Sequence, residues 1–231
     1  MNEVYPFQEG VILNVNKPSG MTSFHVVRMI REWIHCKKVG HAGTLDPLAT
    51  GVLLVCTGKA TKQVSRLMQF EKTYRAVVRL GIRTETDDKE GTVIEERPVK
   101  AFTKRDILNV LKCFEGEIMQ IPPRYAAIKK NGKPLYRWAR EGVEVKRDPR
   151  RVTIRKIELI GWKKPDIDIC VHCSGGTYIR ALARDIGEML GTGGMILELC
   201  RTAIGSYDIE SALTPWEWKE RFTGHENLSI A

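Results

Sequence analysis

The sequence predicts an α+β protein with a mixed, mostly antiparallel sheet flanked by helices. Strand-like alternation recurs in runs joined by turn residues, and helical periodicity appears in separate segments. No regular strand-helix-strand repeat runs through the chain, which argues against a parallel α/β sheet. With no internal repeat, low-complexity stretch or evident linker, the 231 residues read as one domain, 1–231.

The elements follow in order. Gly10 to Asn16 reads as a strand ending in Lys17-Pro-Ser-Gly-Met-Thr. Ser23 is placed to cap a helix to about Ile34, with Val26, Ile30 and Ile34 on one face. Residues 52 to 56 form an apolar strand, followed by a helix to about Phe70. From Thr73 to Ile82 the chain alternates, with Tyr74, Ala76, Val78 and Leu80 on one face. A polar turn from Thr84 to Gly91 and a return over Thr92 to Glu96 predict a hairpin. Thr103 and Asp106 resemble a capping box, opening a helix with Ile107, Val110, Leu111 and Phe114 at helical spacing. Strands at 152 to 161 and 166 to 173 precede Gly175-Gly-Thr and a helix from about Tyr178 to Leu190. Ile179, Leu182, Ile186 and Leu190 face inward there, and Gly191 ends the helix.

Hydrophobic residues make up 42% and charged residues 28%, the balance of a soluble globular protein. No apolar run approaches the roughly 20 residues of a membrane span, and the first residues carry no basic-then-apolar leader, so the cytoplasm is the expected location. The net charge of +9 is concentrated. Residues 119 to 164 hold 14 Lys plus Arg against 4 Asp plus Glu, a net of +10. Within this stretch an insertion at about 119–150 interrupts the core, with a short helix near Leu135 to Arg140. Tyr125, Tyr136 and Trp138 interleave there with Arg124, Lys129, Lys130, Lys133, Arg137 and Arg140. Cations meet phosphates and rings stack on unpaired bases, so this pattern points to RNA; its alternative is a solvated basic face.

Cys170 and Cys173 form a Cys-x-x-Cys, but strand alternation turns the two thiols to opposite faces, and no second pair completes a zinc site. His25, His35, His41, His172 and His225 lack metal-ligand spacing. Phosphate-loop, dinucleotide and nucleophile-elbow motifs are missing too. What remains is one carboxylate, Asp46, in Gly40-His-Ala-Gly-Thr-Leu-Asp-Pro-Leu-Ala-Thr-Gly51, with a Tyr in a strand and an Arg after Gly-Gly-Thr-Tyr. Glycines permit close approach of a ligand, and Pro47 restricts the residue before it. A carboxylate can act as a covalent nucleophile; an ordinary surface turn is the other reading of the same loop.

Four segments in this order resemble the TruB family of pseudouridine synthases. They are Asn16-Lys-Pro-Ser-Gly-Met-Thr-Ser23, the Gly40–Gly51 loop, Lys72-Thr-Tyr-Arg-Ala with Leu80-Gly-Ile-Arg-Thr-Glu-Thr-Asp-Asp-Lys-Glu-Gly91, and Ser174-Gly-Gly-Thr-Tyr-Ile-Arg180 running on to Arg201-Thr-Ala-Ile-Gly205. Ile121-Pro-Pro-Arg-Tyr-Ala-Ala-Ile-Lys129 is similar to the family's RNA-binding insertion, and the resemblance spans roughly residues 10 to 210.

The resemblance implies the pseudouridine synthase fold and isomerisation of uridine 55 in the T-loop of tRNA. It implies Asp46 as the covalent catalyst, Tyr74 as the residue stacking on the target base and a candidate for proton removal from carbon 5, and Arg180 as the partner of the aspartate. Tyr178 and Leu199 are implied to line the base pocket, His41 to enter the space left by the flipped base, and Lys17 to support the active-site loop. The reaction calls for no cofactor and no metal. The expected partner is the tRNA T-stem-loop, with no membrane, no obligatory protein partner and a monomeric chain. The further C-terminal RNA-binding domain of many bacterial members is not expected here, because the chain ends at Ala231 and its last 31 residues carry no basic excess. Two alternatives stay open: a guide-dependent synthase of the archaeal and eukaryotic type, and an RNA-binding or folding protein without catalysis.

Overall fold

The computed structural model describes residues 5–223; the first four residues and those beyond Thr223, His225 among them, lie outside it. Along the chain come β1 (Ile12–Lys17), α1 (Ser23–Trp33), β2 (Val39–Ala42), β3 (Thr50–Thr57), a 3-10 turn (Gly58–Gln63) and α2 (Val64–Met68). There follow β4 (Lys72–Leu80), β5 (Ile82–Thr84), β6 (Val93–Glu96), α3 (Lys104–Lys112) and β7 (Gly116–Gln120). The insertion holds β8 (Lys129–Lys130), β9 (Lys133–Pro134) and α4 (Leu135–Arg140). The chain continues with β10 (Arg150–Lys163), β11 (Asp166–Cys173), α5 (Ile179–Met189), β12 (Gly194–Ile204), β13 (Tyr207–Asp208) and α6 (Pro215–Thr223). The main sheet has the strand order β1-β3-β12-β4-β11-β10-β7, with β2 beside β3 and β13 beside β12. Pairings of β3 with β1 and β2, and of β10 with β7 and β11, are antiparallel, while β3 and β12 run parallel. This is the mixed, mostly antiparallel sheet that the alternation predicts.

Two compact units divide the chain: residues up to Tyr74 together with those from Cys200 onward, and Arg75–Leu199. In the first unit, Val52 to Cys56 are all fully buried, so β3 is covered on both faces. That explains its continuous apolar run in place of alternation. Val52, Leu54 and Cys56 pack with Ala42, Ala60, Leu67 and Ile204. Burial pushes the Cys56 thiol up to about 11, so it stays protonated and acts as a small apolar group. The cap of α1 is Thr22, whose hydroxyl accepts from the His25 amide at 3.0 Å, and not Ser23. Ser23 is already helical and buried, and its hydroxyl is spent on Leu45. The helix expected to Phe70 is a 3-10 turn followed by the five residues of α2.

In the second unit, β11 alternates as read: Ile167, Ile169, Val171 and Cys173 are buried, and Cys170 lies half-buried on the other face. The capping box of α3 is present in both directions. α5 buries Ile179, Leu182 and Ile186, with Leu190 just beyond its end. The predicted hairpin return does not pair with β4. Gly81 adopts φ +88° and ends β4, and β6 pairs with the short β5 in a separate two-stranded sheet. Ion pairs tie this hairpin to α5. Arg97 reaches Glu95 at 2.6 Å and Glu188 at 2.9 Å, and Arg83 reaches the same two carboxylates at 2.7 and 3.2 Å. Hydrogen bonds from Arg97, then Arg83, lower the Glu95 carboxyl to about 2. This anchoring is complete above the ordinary glutamate range and is lost as pH falls toward 2.

Candidate active site

The loop that carries Asp46 belongs to the first unit and is held from beneath by two buried cations. Lys17, fully buried, donates from Nζ to the carbonyls of Pro18 at 2.8 Å, Met21 at 2.7 Å and Pro47 at 3.2 Å. A buried ammonium is tolerable only with its donors used, and these acceptors join residues 17–21 to the Asp46 loop. Ser19 Oγ donates to Leu48 O at 3.1 Å, and the Gly20 amide to Pro47 O at 2.8 Å. Arg201, 1% exposed, donates to Val52 O at 2.7 Å and to Gly43 O at 3.1 Å.

Within this frame Leu45, Leu48 and Ala49 are buried, while Asp46 is half-buried. The Ala49 amide closes the turn on Asp46 O at 3.1 Å. Backbone hydrogen bonds and buried apolar neighbours therefore hold the flanks of the loop. Gly51 has φ +99°, and a Cβ there would stand 2.2 Å from the Arg201 carbonyl oxygen. Gly51→Ala is expected to cost about 3–5 kcal/mol through backbone strain and overpacking, read as a lower urea midpoint with an unchanged slope.

His41 lies on β2, partly exposed, with Nδ1 buried and without a hydrogen-bond partner among the described residues. Burial, then the charge of Arg201, lowers its pKa below the usual histidine value, opposed by a backbone hydrogen bond with Gly43. Tyr74 is buried on β4 and closes the first stretch of this unit.

Arg180 belongs to the second unit, on the first turn of α5, and is 5% exposed. Its guanidinium donates to Thr86 O at 2.8 Å and Tyr125 O at 3.1 Å, and lies 3.4 Å from the Asp88 carboxylate. Asp88 is itself fixed, accepting from Thr86 Oγ1 at 2.5 Å and from the Glu90 amide at 3.0 Å. One turn along α5, Arg184 pairs with Asp87 at 3.1 Å and donates to Ile121 O at 3.0 Å. Burial raises the Asp87 pKa, opposed by Arg184 and then Arg180. Tyr178 caps α5, and its backbone is held at both ends by buried Gln120: the Tyr178 amide donates to Oε1 at 2.8 Å, and Nε2 donates to Tyr178 O at 3.0 Å. Leu199 is buried on β12 at the end of this unit.

The insertion's cations divide into two groups. Lys129, Arg137 and Arg140 are exposed. Lys130 is engaged with Lys146 O and Asp148, and Lys133 pairs with Glu141 while standing 4.2 Å over the Trp138 ring. Arg140 lies 5.6 Å from the Tyr136 ring, and Arg124 is half-buried with its Nε enclosed. Two of the interleaved rings are therefore covered by cations of their own segment.

Lys17, His41 and Asp46 thus lie in the first unit with Tyr74, and Tyr178, Arg180 and Leu199 in the second. Sequence reasoning named no role for Arg201, Gln120 or Asp88. Arg201 and Asp88 lay inside quoted motifs, but nothing in their spacing marked them as buried braces.

Residues 31–179 match the family model of the TruB family pseudouridylate synthase N-terminal domain, and residues 180–223 that of the tRNA pseudouridylate synthase B C-terminal domain. The tRNA pseudouridine synthase B of Clostridium kluyveri is 47% identical over 87% of this chain and 70% of its own length. That of Desulfotalea psychrophila is 47% identical over 92% of this chain and 88% of its own. Among solved structures, a chain of a Cbf5-Nop10-Gar1 complex superposes with a TM-score of 0.76 at 31% identity, over 97% of this chain. An H/ACA RNP bound to a substrate RNA containing 2'-deoxyuridine gives 0.71 at 29%. This chain spans 58% and 57% of those two chains.

Proposed function

The chain belongs to the TruB family of pseudouridylate synthases, and from that membership we propose that it converts uridine 55 of the tRNA T-loop to pseudouridine. The observation that carries this reading is the Asp46 loop: a carboxylate displayed on a frame held by buried Lys17 and Arg201.

In the proposed reaction the bond between uracil N1 and the ribose breaks, the ring turns, and a bond to C5 replaces it. The proton lost from C5 is balanced by the proton N1 gains once its bond to the ribose is broken, so no redox step or external group is needed. Asp46 forms the transient covalent bond. A base within a folded T-loop must first leave its stack. Tyr74 stacks on the flipped base and removes the C5 proton, Tyr178 and Leu199 line its pocket, and His41 fills the space it vacates. Arg180, whose own position is set by Asp88, Thr86 and Tyr125, serves the aspartate as its cationic partner. The protein acts in the cytoplasm as a monomer on tRNA alone, and the isomerisation itself uses no cofactor, metal or guide RNA.

The test is to map pseudouridine in a tRNA transcript treated with the purified protein. Modification is expected at position 55 alone, and a transcript with cytidine there should yield no product. Product elsewhere in the T-loop would refute the site assignment.

The insertion supplies the backbone contacts in this reading, through Arg124, Lys129, Lys130, Lys133, Arg137 and Arg140. Neutralising exposed Lys129, Arg137 and Arg140 together is expected to reduce the log-log salt slope of tRNA binding by about 2, at roughly 0.7–0.9 per lost phosphate contact. An unchanged slope would remove the insertion from the interface.

A further inference from the structure

The outer face of the β10–β11 ladder carries a group of side chains that this chemistry does not use. Glu158 and Cys170 are register partners on adjacent antiparallel strands, and His172 lies two residues beyond Cys170. Alternation puts Cys170 and His172 on one face, and register partners bring their side chains together across the ladder. The ligand atoms of the three all lie within 4.8 Å of one another. His172 Nε2 stands 3.7 Å from Cys170 Sγ and 3.5 Å from Glu158 Oε2.

A tetrahedral zinc ion has Zn–S of about 2.3 Å and Zn–N or Zn–O of about 2.0–2.2 Å, which implies ligand–ligand edges of about 3.3–3.6 Å. The two measured separations lie close to those edges. The Cys170–Glu158 separation lies within 4.8 Å, so an ion seated between the three groups would draw these side chains together. Lys156 binds the other Glu158 oxygen, Oε1, at 2.7 Å and leaves Oε2 directed at His172. The third ligand is invisible to sequence spacing, because it comes from across the ladder and not from Cys173.

We propose that Glu158, Cys170 and His172 form a three-ligand site for a divalent transition metal of the zinc class, with water in the fourth position. A thiolate, an imidazole and a carboxylate select zinc or cobalt over magnesium or calcium. On binding, the Cys170 proton passes to solvent and a metal–sulfur bond forms, with no change in oxidation state. The ion cross-links β10 to β11 and stabilises the second unit, since it binds only the folded ladder.

The test titrates the reduced, full-length protein with Co(II) and follows the thiolate-to-cobalt charge-transfer band and the intensity of the visible bands. One equivalent should produce both with tetrahedral character. Cys170→Ser should abolish the charge-transfer band, and His172→Ala or Glu158→Gln should weaken affinity at least about tenfold. Zinc should raise the melting temperature of wild type but not of Cys170→Ser. No charge-transfer band in wild type, or a band that persists in Cys170→Ser and disappears in Cys113→Ser, would overturn the assignment. His172→Ala keeps the proposal testable if Cys170→Ser fails to fold.

Discussion

Asp46→Asn is expected to lower pseudouridine formation by at least about 10⁴-fold and to leave tRNA affinity within about twofold of wild type. The substitution is nearly isosteric, and the turn around it is closed through the backbone. The Ala49 amide bonds the Asp46 backbone carbonyl, and Leu45, Leu48 and Ala49 anchor the flanks. Lys17 and Arg201 grip the loop through carbonyls, which the variant retains. What disappears is the carboxylate proposed as the covalent nucleophile. Single-turnover assays at saturating protein separate this from a binding defect. Turnover within tenfold of wild type would exclude Asp46 as the covalent catalyst.

The second large effect is expected at Asp88. Its carboxylate and the Arg180 guanidinium are 4% and 5% exposed, so solvent screens their pairing little. Asp88→Ala removes the carboxylate that stands 3.4 Å from a buried guanidinium, at a cost of about 3–5 kcal/mol. It also removes the acceptor of Thr86 Oγ1 and the Glu90 amide, which loosens the 84–91 loop around Arg180. The expected result is a large drop in urea midpoint and loss of activity. Asp88→Asn keeps the shape and one acceptor, and should cost less. A variant as stable as wild type would show that Arg180 does not need the Asp88 carboxylate.

The parts of this protein legible in its sequence are those governed by local chemistry. The Thr103–Asp106 capping box, the alternation of β11 and the bounds of α4 follow from residue type and period. The Asp46 loop is legible because glycines and a proline flank one carboxylate. Features set by distant partners are not. Ser23 looks like a cap until its hydroxyl is found on Leu45. Residues 93–96 look like the return of a β4 hairpin until Gly81 is seen to end that strand. Arg201 carries no mark of burial in its motif, yet it is 1% exposed and braces Gly43 and Val52. Trp138 looks like a free stacking platform, but Lys133 covers it. Each outcome was decided by groups far apart in the chain, or by a pairing across a loop, which spacing does not encode.

The most direct test of the central claim is tritium release from a tRNA transcript carrying 5-tritiated uridine, incubated with purified protein and no guide RNA. The account predicts release approaching one tritium per tRNA, since only C5 of the target uridine exchanges its proton, and none with Asp46→Asn. Absence of release by wild-type protein that demonstrably binds the transcript would contradict it.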